Sequence, residues 1–98
     1  MTVSSISGIE RHALTGLVYS ASKAAAAHVG KVLCTMLISW NICSNVIIPG
    51  LYPSEMTAFL PMDHITVSNT PAGRAGSTSD IAGVVLYLLG KAGAFVRW

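Results

Sequence analysis

Charge is what this 98-residue sequence has least of. Only 10% of its residues are Asp, Glu, Lys or Arg, against about 25% in an ordinary soluble domain. The six Lys and Arg residues are scattered. A nucleic-acid footprint needs clustered positive charge, so that class of partner is excluded. Cysteine is scarce too: Cys34 and Cys43 have neither C-x-x-C spacing nor neighbours suited to a metal. A disulfide framework and a metal site are set aside, and two free, mostly buried thiols in a reducing compartment, the cytoplasm, are expected. The opening residues M-T-V-S-S-I-S-G lack the basic flank and long apolar run of a signal peptide. Internal repeats and low-complexity tracts are absent.

What the sequence has in excess is apolar character. Hydrophobic residues make up 52% of the chain, and the mean hydropathy is +0.60. Either a membrane span or a piece of a larger core would explain this. Val32 to Ser54 carries no charge and is long enough to cross a bilayer, which takes about 20 helical residues. Yet Asn41, Ser44, Asn45, Pro49, Gly50 and Pro53 punctuate it. Its second half, Asn45-Val46-Ile47-Ile48, reads as a β-branched strand ended by Pro-Gly. No membrane span is expected, and the larger-core explanation stands.

The chain divides into alternating elements. Val3-Ser4-Ser5 forms the tail of a strand, and Ser7-Gly8 a turn. A long helix is expected from Val18 to Trp40: its first half is alanine-rich, and Val29, Leu33, Met36, Leu37 and Trp40 recur at helical spacing. The strand Asn45–Ile48 is apolar on both faces, as in a parallel strand covered above and below. A short helix follows from Glu55 to Leu60, with Ser54 as its cap. Pro61 to Gly76 is a connecting loop. Ser77-Thr78-Ser79-Asp80 is a capping-box start to a last helix whose stripe is Ile81, Val84, Val85, Leu88, Leu89 and Ala92. Lys91 is expected in its last turn, Gly93 at its end, and a short strand Ala94–Val96 after it. Such alternation implies parallel strands joined by crossovers.

Two residues stand out chemically. Tyr19 and Lys23 are four apart and share one helix face. Tyrosine ordinarily titrates near ~10, and a nearby ammonium favours the phenolate. Such a tyrosine can protonate a forming alkoxide or take the proton of an alcohol. By itself a Y-x-x-x-K pair is more often an ordinary exposed aromatic–lysine pair. Its surroundings change that balance.

The run Y-S-A-S-K-A-A, preceded by S-S-I-S-G, resembles the active-site segment of the short-chain dehydrogenase/reductase family. Ser5 fits the family's serine best, because Gly8 then stands at the place of the glycine that follows it; Ser4 and Ser7 are the weaker substitutes. Further on, N-V-I-I-P-G-L-Y-P-S-E-M is similar to the family's next strand and Pro-Gly turn. The segment P-A-G-R-A-G-S-T-S-D-I-A-G-V-V-L-Y-L-L is similar to its late segment. The three blocks stand in family order and cover nearly the whole chain.

The resemblance implies an α/β fold: the C-terminal part of a doubly wound parallel-sheet, Rossmann-like architecture. Residues 1–98 would be the catalytic half of one domain, with the N-terminal cofactor-binding strands absent. It also implies an oxidoreductase that moves hydride between NAD(P)(H), NADP(H) in the first place, and a small carbonyl or alcohol substrate. Tyr19 would be the acid or base and Ser5 the substrate orienter. Lys23 would favour the tyrosinate and bind the nicotinamide ribose hydroxyls. Tyr19, Lys23, Pro49, Gly50, Tyr52 and Ser54 would line the cofactor site, with Tyr52 bulkier than the family's usual aliphatic residue. The phosphate turn T-G-x-x-x-G-x-G, the residue that selects NAD or NADP, and the asparagine of the proton relay have no match in the 98 residues. A catalytically idle remnant that pairs through its long helix is therefore the alternative expectation, and that helix is the expected homo-oligomer surface. His12, His28 and His64 read as solvated or structural, Met36, Met56 and Met62 as packing residues, and Arg74 as one side of a salt bridge.

Overall fold

The computed structural model describes residues 1–11, 14–62, 64 and 70–97. Two strands form a parallel pair, β1 (Thr2–Val3) and β2 (Val46–Ile47), with Thr2 opposite Val46 and Val3 opposite Ile47. The ladder runs from Thr2 N to Asn45 O at 2.8 Å and from Ser4 N to Ile47 O at 2.9 Å. It continues past both strands, since Ile6 N donates to Pro49 O at 3.1 Å. The loop after β1 and the Pro-Gly turn after β2 are thus tied side by side.

The connection between the strands is helix α1 (Leu17–Met36). Gly16, at φ 79°, precedes it. Its inner face is made of small residues: Ala27 and Gly30 are the buried positions, and they let the helix lie close on the strands. Helix α2 (Thr78–Leu89) begins at Ser77 with the expected reciprocal cap, Ser77 bonding the Asp80 backbone while the Asp80 carboxylate accepts from Ser77 N.

Several boundaries differ from the sequence reading. The long helix stops at Met36 and continues as a 3-10 turn, Ile38–Trp40. Asn41 then takes the left-handed conformation at φ 55°, which asparagine tolerates better than most residues and which ends a helix. The helix expected from Glu55 to Leu60 is a single 3-10 turn, Glu55–Thr57. Helix α2 ends at Gly90 rather than Gly93, so Lys91 and Ala92 fall in the following 3-10 turn, Lys91–Gly93.

The strand expected at Ala94–Val96 does not form. Its amides are taken by local turns instead, Ala94 N to Lys91 O and Val96 N to Gly93 O. Val96 still reaches the sheet end, because its carbonyl accepts from the Asn45 side chain at 2.9 Å. Residues 63 and 65–69 of the expected loop from Pro61 to Gly76 lie outside the described residues, as does His12.

The buried apolar residues among those described are Ala27 and Ile47 alone. Val29, Met36 and Trp40 of the expected α1 stripe are exposed, while Leu33 and Leu37 are half-buried. β2 is covered by α1 on one side, yet Val3 beside it is half-exposed. The radius of gyration is 15.0 Å, against about 13 Å for a compact domain of this length. Apolar excess in the sequence therefore emerges as apolar surface. No helix among the described residues is long and apolar enough to cross a membrane, and both cysteines are free and half-buried.

Candidate active site

The site is built where the two strands end. After β1 the chain passes through Ser4 and Ser5, whose side chains go to opposite sides as in a strand. Ser4 is buried, and its hydroxyl donates to the Lys23 carbonyl at 2.6 Å. Ser5 is extended, at φ −161° and ψ 153°, and opens the 3-10 turn Ile6–Gly8, its Oγ accepting from Ser7 N at 3.2 Å. The turn lies hard against α1. A Cβ on Gly8 would come within 2.7 Å of Ala24 N and 2.8 Å of the Lys23 carbonyl carbon, so no larger residue fits without moving the helix.

Tyr19 sits in the first turn of α1 and Lys23 one turn later. The Lys23 ammonium stands over the Tyr19 ring, 5.6 Å from its centroid, and donates to Val3 O at 3.4 Å. Three consecutive residues of one segment thus meet the lysine and the cleft: Val3 O takes its ammonium, the Ser4 hydroxyl takes its carbonyl, and Ser5 faces the open side.

The other wall follows β2. Pro49 is held by Ile6 N, and Leu51 O accepts from Gly76 N at 2.9 Å. The Tyr52 ring packs against Gly76, where a Cβ would collide with three ring carbons. Thr57 organises the turn. Its hydroxyl accepts from Ser54 N at 2.8 Å and lies 2.9 Å from Tyr52 O and 3.2 Å from Ser54 Oγ.

Ser5, Tyr19, Lys23, Pro49, Gly50, Tyr52 and Ser54, the seven residues expected from the sequence, all line one cleft of about 1350 Å³. Its apolar wall includes Leu14, Met56 and Phe59. Three residues have roles here that the sequence does not reveal: Ser4, only a weaker match to the family's serine, bolts the strand to the helix, Thr57 holds the Tyr52–Ser54 backbone, and Gly76 seats Tyr52. The S-S pair and the S-x-x-T spacing were visible, but the contacts that give them meaning are long-range.

Arg74 and Asp80 brace the start of α2 beside this cleft. The guanidinium bonds both carboxylate oxygens, at 2.7 and 2.9 Å, which is the fork geometry of a strong charged pair. That pair, then the Ser77 hydroxyl and amide, hold the Asp80 carboxyl well below the usual carboxylate range. Asp80 in turn raises Arg74. The salt bridge expected for Arg74 is present.

The donors present suit the nicotinamide–ribose end of a dinucleotide: hydroxyls from Ser5, Tyr19 and Ser54, one ammonium, and the exposed Gly50 backbone. No glycine-rich turn for a pyrophosphate occurs in the sequence.

Comparison with known proteins agrees with this geometry. The profile of the enoyl-(acyl carrier protein) reductase family matches residues 1–97. The short-chain dehydrogenase/reductase PhomF of Diaporthe leptostromiformis is 43% identical over 100 residues, covering 95% of this chain and 34% of its own length. The chain spans about a third of the length of this and similar curated relatives. Among solved structures, the NADP active-site complex of Pseudomonas aeruginosa RhlG superposes with a TM-score of 0.85 at 32% identity, over 97% of this chain and 40% of that one. An NAD-bound 3-oxoacyl-(acyl-carrier protein) reductase from Brucella melitensis does so with a TM-score of 0.85 at 26% identity, over 97% and 35%. The parallel pair, the helix joining it and the segments after β2 are accordingly the C-terminal part of a doubly wound, Rossmann-like sheet, and the chain belongs to the short-chain dehydrogenase/reductase family.

Proposed function

We propose that residues 1–98 are the catalytic half of a nicotinamide-dependent oxidoreductase domain that interconverts a carbonyl and an alcohol. The observation that carries this reading is that Ser5, Tyr19, Lys23 and the Pro49–Gly50 turn line a single cleft, although they come from three separate segments. Tyr19 is the general acid in reduction. As charge develops on the substrate oxygen, the Tyr19 hydroxyl delivers its proton there, and in oxidation the tyrosinate removes the alcohol proton. Ser5 orients that oxygen by a hydrogen bond. Lys23 keeps a positive charge beside the ring and offers N–H donors to ribose hydroxyls. Tyr52, Ser54 and the exposed backbone at Pro49–Gly50 hold the nicotinamide end, and a bound nicotinamide supplies or accepts the hydride. NADP(H) is the proposed form, since RhlG was solved with NADP. A cytoplasmic setting suits the two free thiols.

Relatives named for 3-oxoacyl reduction make a 3-oxoacyl thioester the first substrate to try. Saturable quenching of NADPH fluorescence by the purified chain, and NADPH consumption at 340 nm with that thioester, are expected. Absence of both would overturn the reading.

A second reading is favoured by the outer face of α1. Val18, Val29, Val32 and Met36 share that face and are all exposed, at successive spacings of eleven (about three turns), three and four. Such a stripe suits pairing with a second copy or an intact relative without catalysis by this chain. Sedimentation separates the two: a chain found only in such complexes, and silent toward NADPH, supports pairing alone.

A further inference from the structure

Two buried serines bolt α1 to the strands, and they are chemically matched. Ser4, 3% exposed at the end of β1, donates to Lys23 O at 2.6 Å. Ser44, 4% exposed just before β2, donates to Gly30 O at 3.1 Å. The acceptors are seven residues apart, two turns along one face. Each hydroxyl adds a second donor to a carbonyl that also serves the helix ladder.

The two bolts differ in what they secure. Ser44 meets the helix at Gly30, which has no side chain and no neighbour in the cleft. Ser4 meets it at Lys23, whose ammonium is held by Val3 O and lies over Tyr19. Ser4 also directly precedes Ser5. Its bond therefore fixes the rise and rotation of the Tyr19–Lys23 turn relative to the Ser5 hydroxyl, and Gly8, pressed on the Lys23–Ala24 backbone, blocks the helix from sliding closer. We infer that Ser4 is a positioning residue of the active site, setting the relative placement of Ser5, Tyr19 and Lys23 through the Lys23 carbonyl, whereas Ser44 only anchors the helix. This rests on the proposed function for its kinetic consequence and on geometry alone for its structural one.

Ser44→Ala is the matched control, because it deletes the same kind of bond to the same helix. Both variants are expected to lose similar thermal stability. With NADPH and a 3-oxoacyl thioester, Ser4→Ala should lower kcat roughly tenfold to a hundredfold with KM little changed, as expected for a misplaced catalytic group. Ser44→Ala should leave kcat within about twofold of the parent, since the placement of the reacting groups is untouched. A second readout needs no turnover. The chain has three lysines, Lys23, Lys31 and Lys91, and in carbon-13 lysine NMR the Lys23 ε-methylene signal should be displaced by the Tyr19 ring. That displacement should be lost in Ser4→Ala and kept in Ser44→Ala. Equal kcat losses in both variants, or a Lys23 signal unmoved by Ser4→Ala, would overturn the inference. Should the parent show no turnover at all, the proposed function fails, and the Lys23 signal still decides the role of Ser4.

Discussion

The Lys23 ammonium bridges helix and strand: it stands 5.6 Å from the centroid of the Tyr19 ring and donates to the carbonyl of Val3 at 3.4 Å. One side chain thereby joins the first turn of α1 to β1. A cation over an aromatic face at a partly exposed site contributes about 0.5–1 kcal/mol. Lys23→Met keeps the aliphatic stem and removes the charge. It should lower stability by about that amount in chemical denaturation and should abolish saturable NADPH binding. A variant that binds NADPH as the parent does would remove Lys23 from the proposed cofactor site.

Tyr19→Phe deletes one hydroxyl from a half-buried ring. Because the ring contact to Lys23 survives, the thermal midpoint should stay close to that of the parent. Turnover should fall by about 10²–10⁴, the usual contribution of a general acid–base group. An unchanged rate across the pH range would show that another group handles the proton.

Gly76→Ala should be poorly tolerated, since its Cβ would enter the Tyr52 ring. Overpacking of this kind costs about 1–3 kcal/mol. Trimming the ring in Tyr52→Ala should relieve the clash, so the double variant should be more stable than the sum of the single changes predicts. Simple additivity in urea denaturation would mean that the two residues do not compete for space.

The Arg74–Asp80 pair makes acid stability predictable in sign. Folding lowers the Asp80 carboxyl, chiefly through the Arg74 hydrogen bonds and then those from Ser77. A carboxyl lowered on folding contributes stability that is complete above its unfolded value, near ~3.9. As pH falls below that value the unfolded chain takes up a proton that the folded chain refuses, and the contribution declines. Thermal midpoints should therefore drop between about pH 5 and strongly acid conditions. Asp80→Asn should be less stable than the parent at neutral pH and should show a flatter acid limb. An equally steep limb in Asp80→Asn would place the acid sensitivity elsewhere.

Local signals were read well from sequence. The capping box at Ser77–Asp80, the alanine-rich helix with Tyr19 and Lys23 on its first turns, and the Pro-Gly stop after β2 all depend on a few adjacent residues, whose backbone preferences act over one turn. Element ends were read less well, because competing local bonds decide them. Asn41 in the left-handed region closes the helix that periodicity would carry to Trp40. Gly90 stops α2 before Lys91, and Ala94–Val96 curls into turns because a strand forms only where another strand offers its bonds.

The sequence by itself determined the family resemblance, the order of the elements and the residue types of the site, since these rest on short motifs and on spacing. Only the tertiary structure decided which serine does what. Ser4 and Ser5 are neighbours of the same chemistry, and alternation along the strand sends one under α1 to Lys23 O and the other toward the cleft. The same holds for Tyr52, seated on a glycine 24 positions away. Such roles come from contacts between segments distant in sequence, which no local pattern encodes.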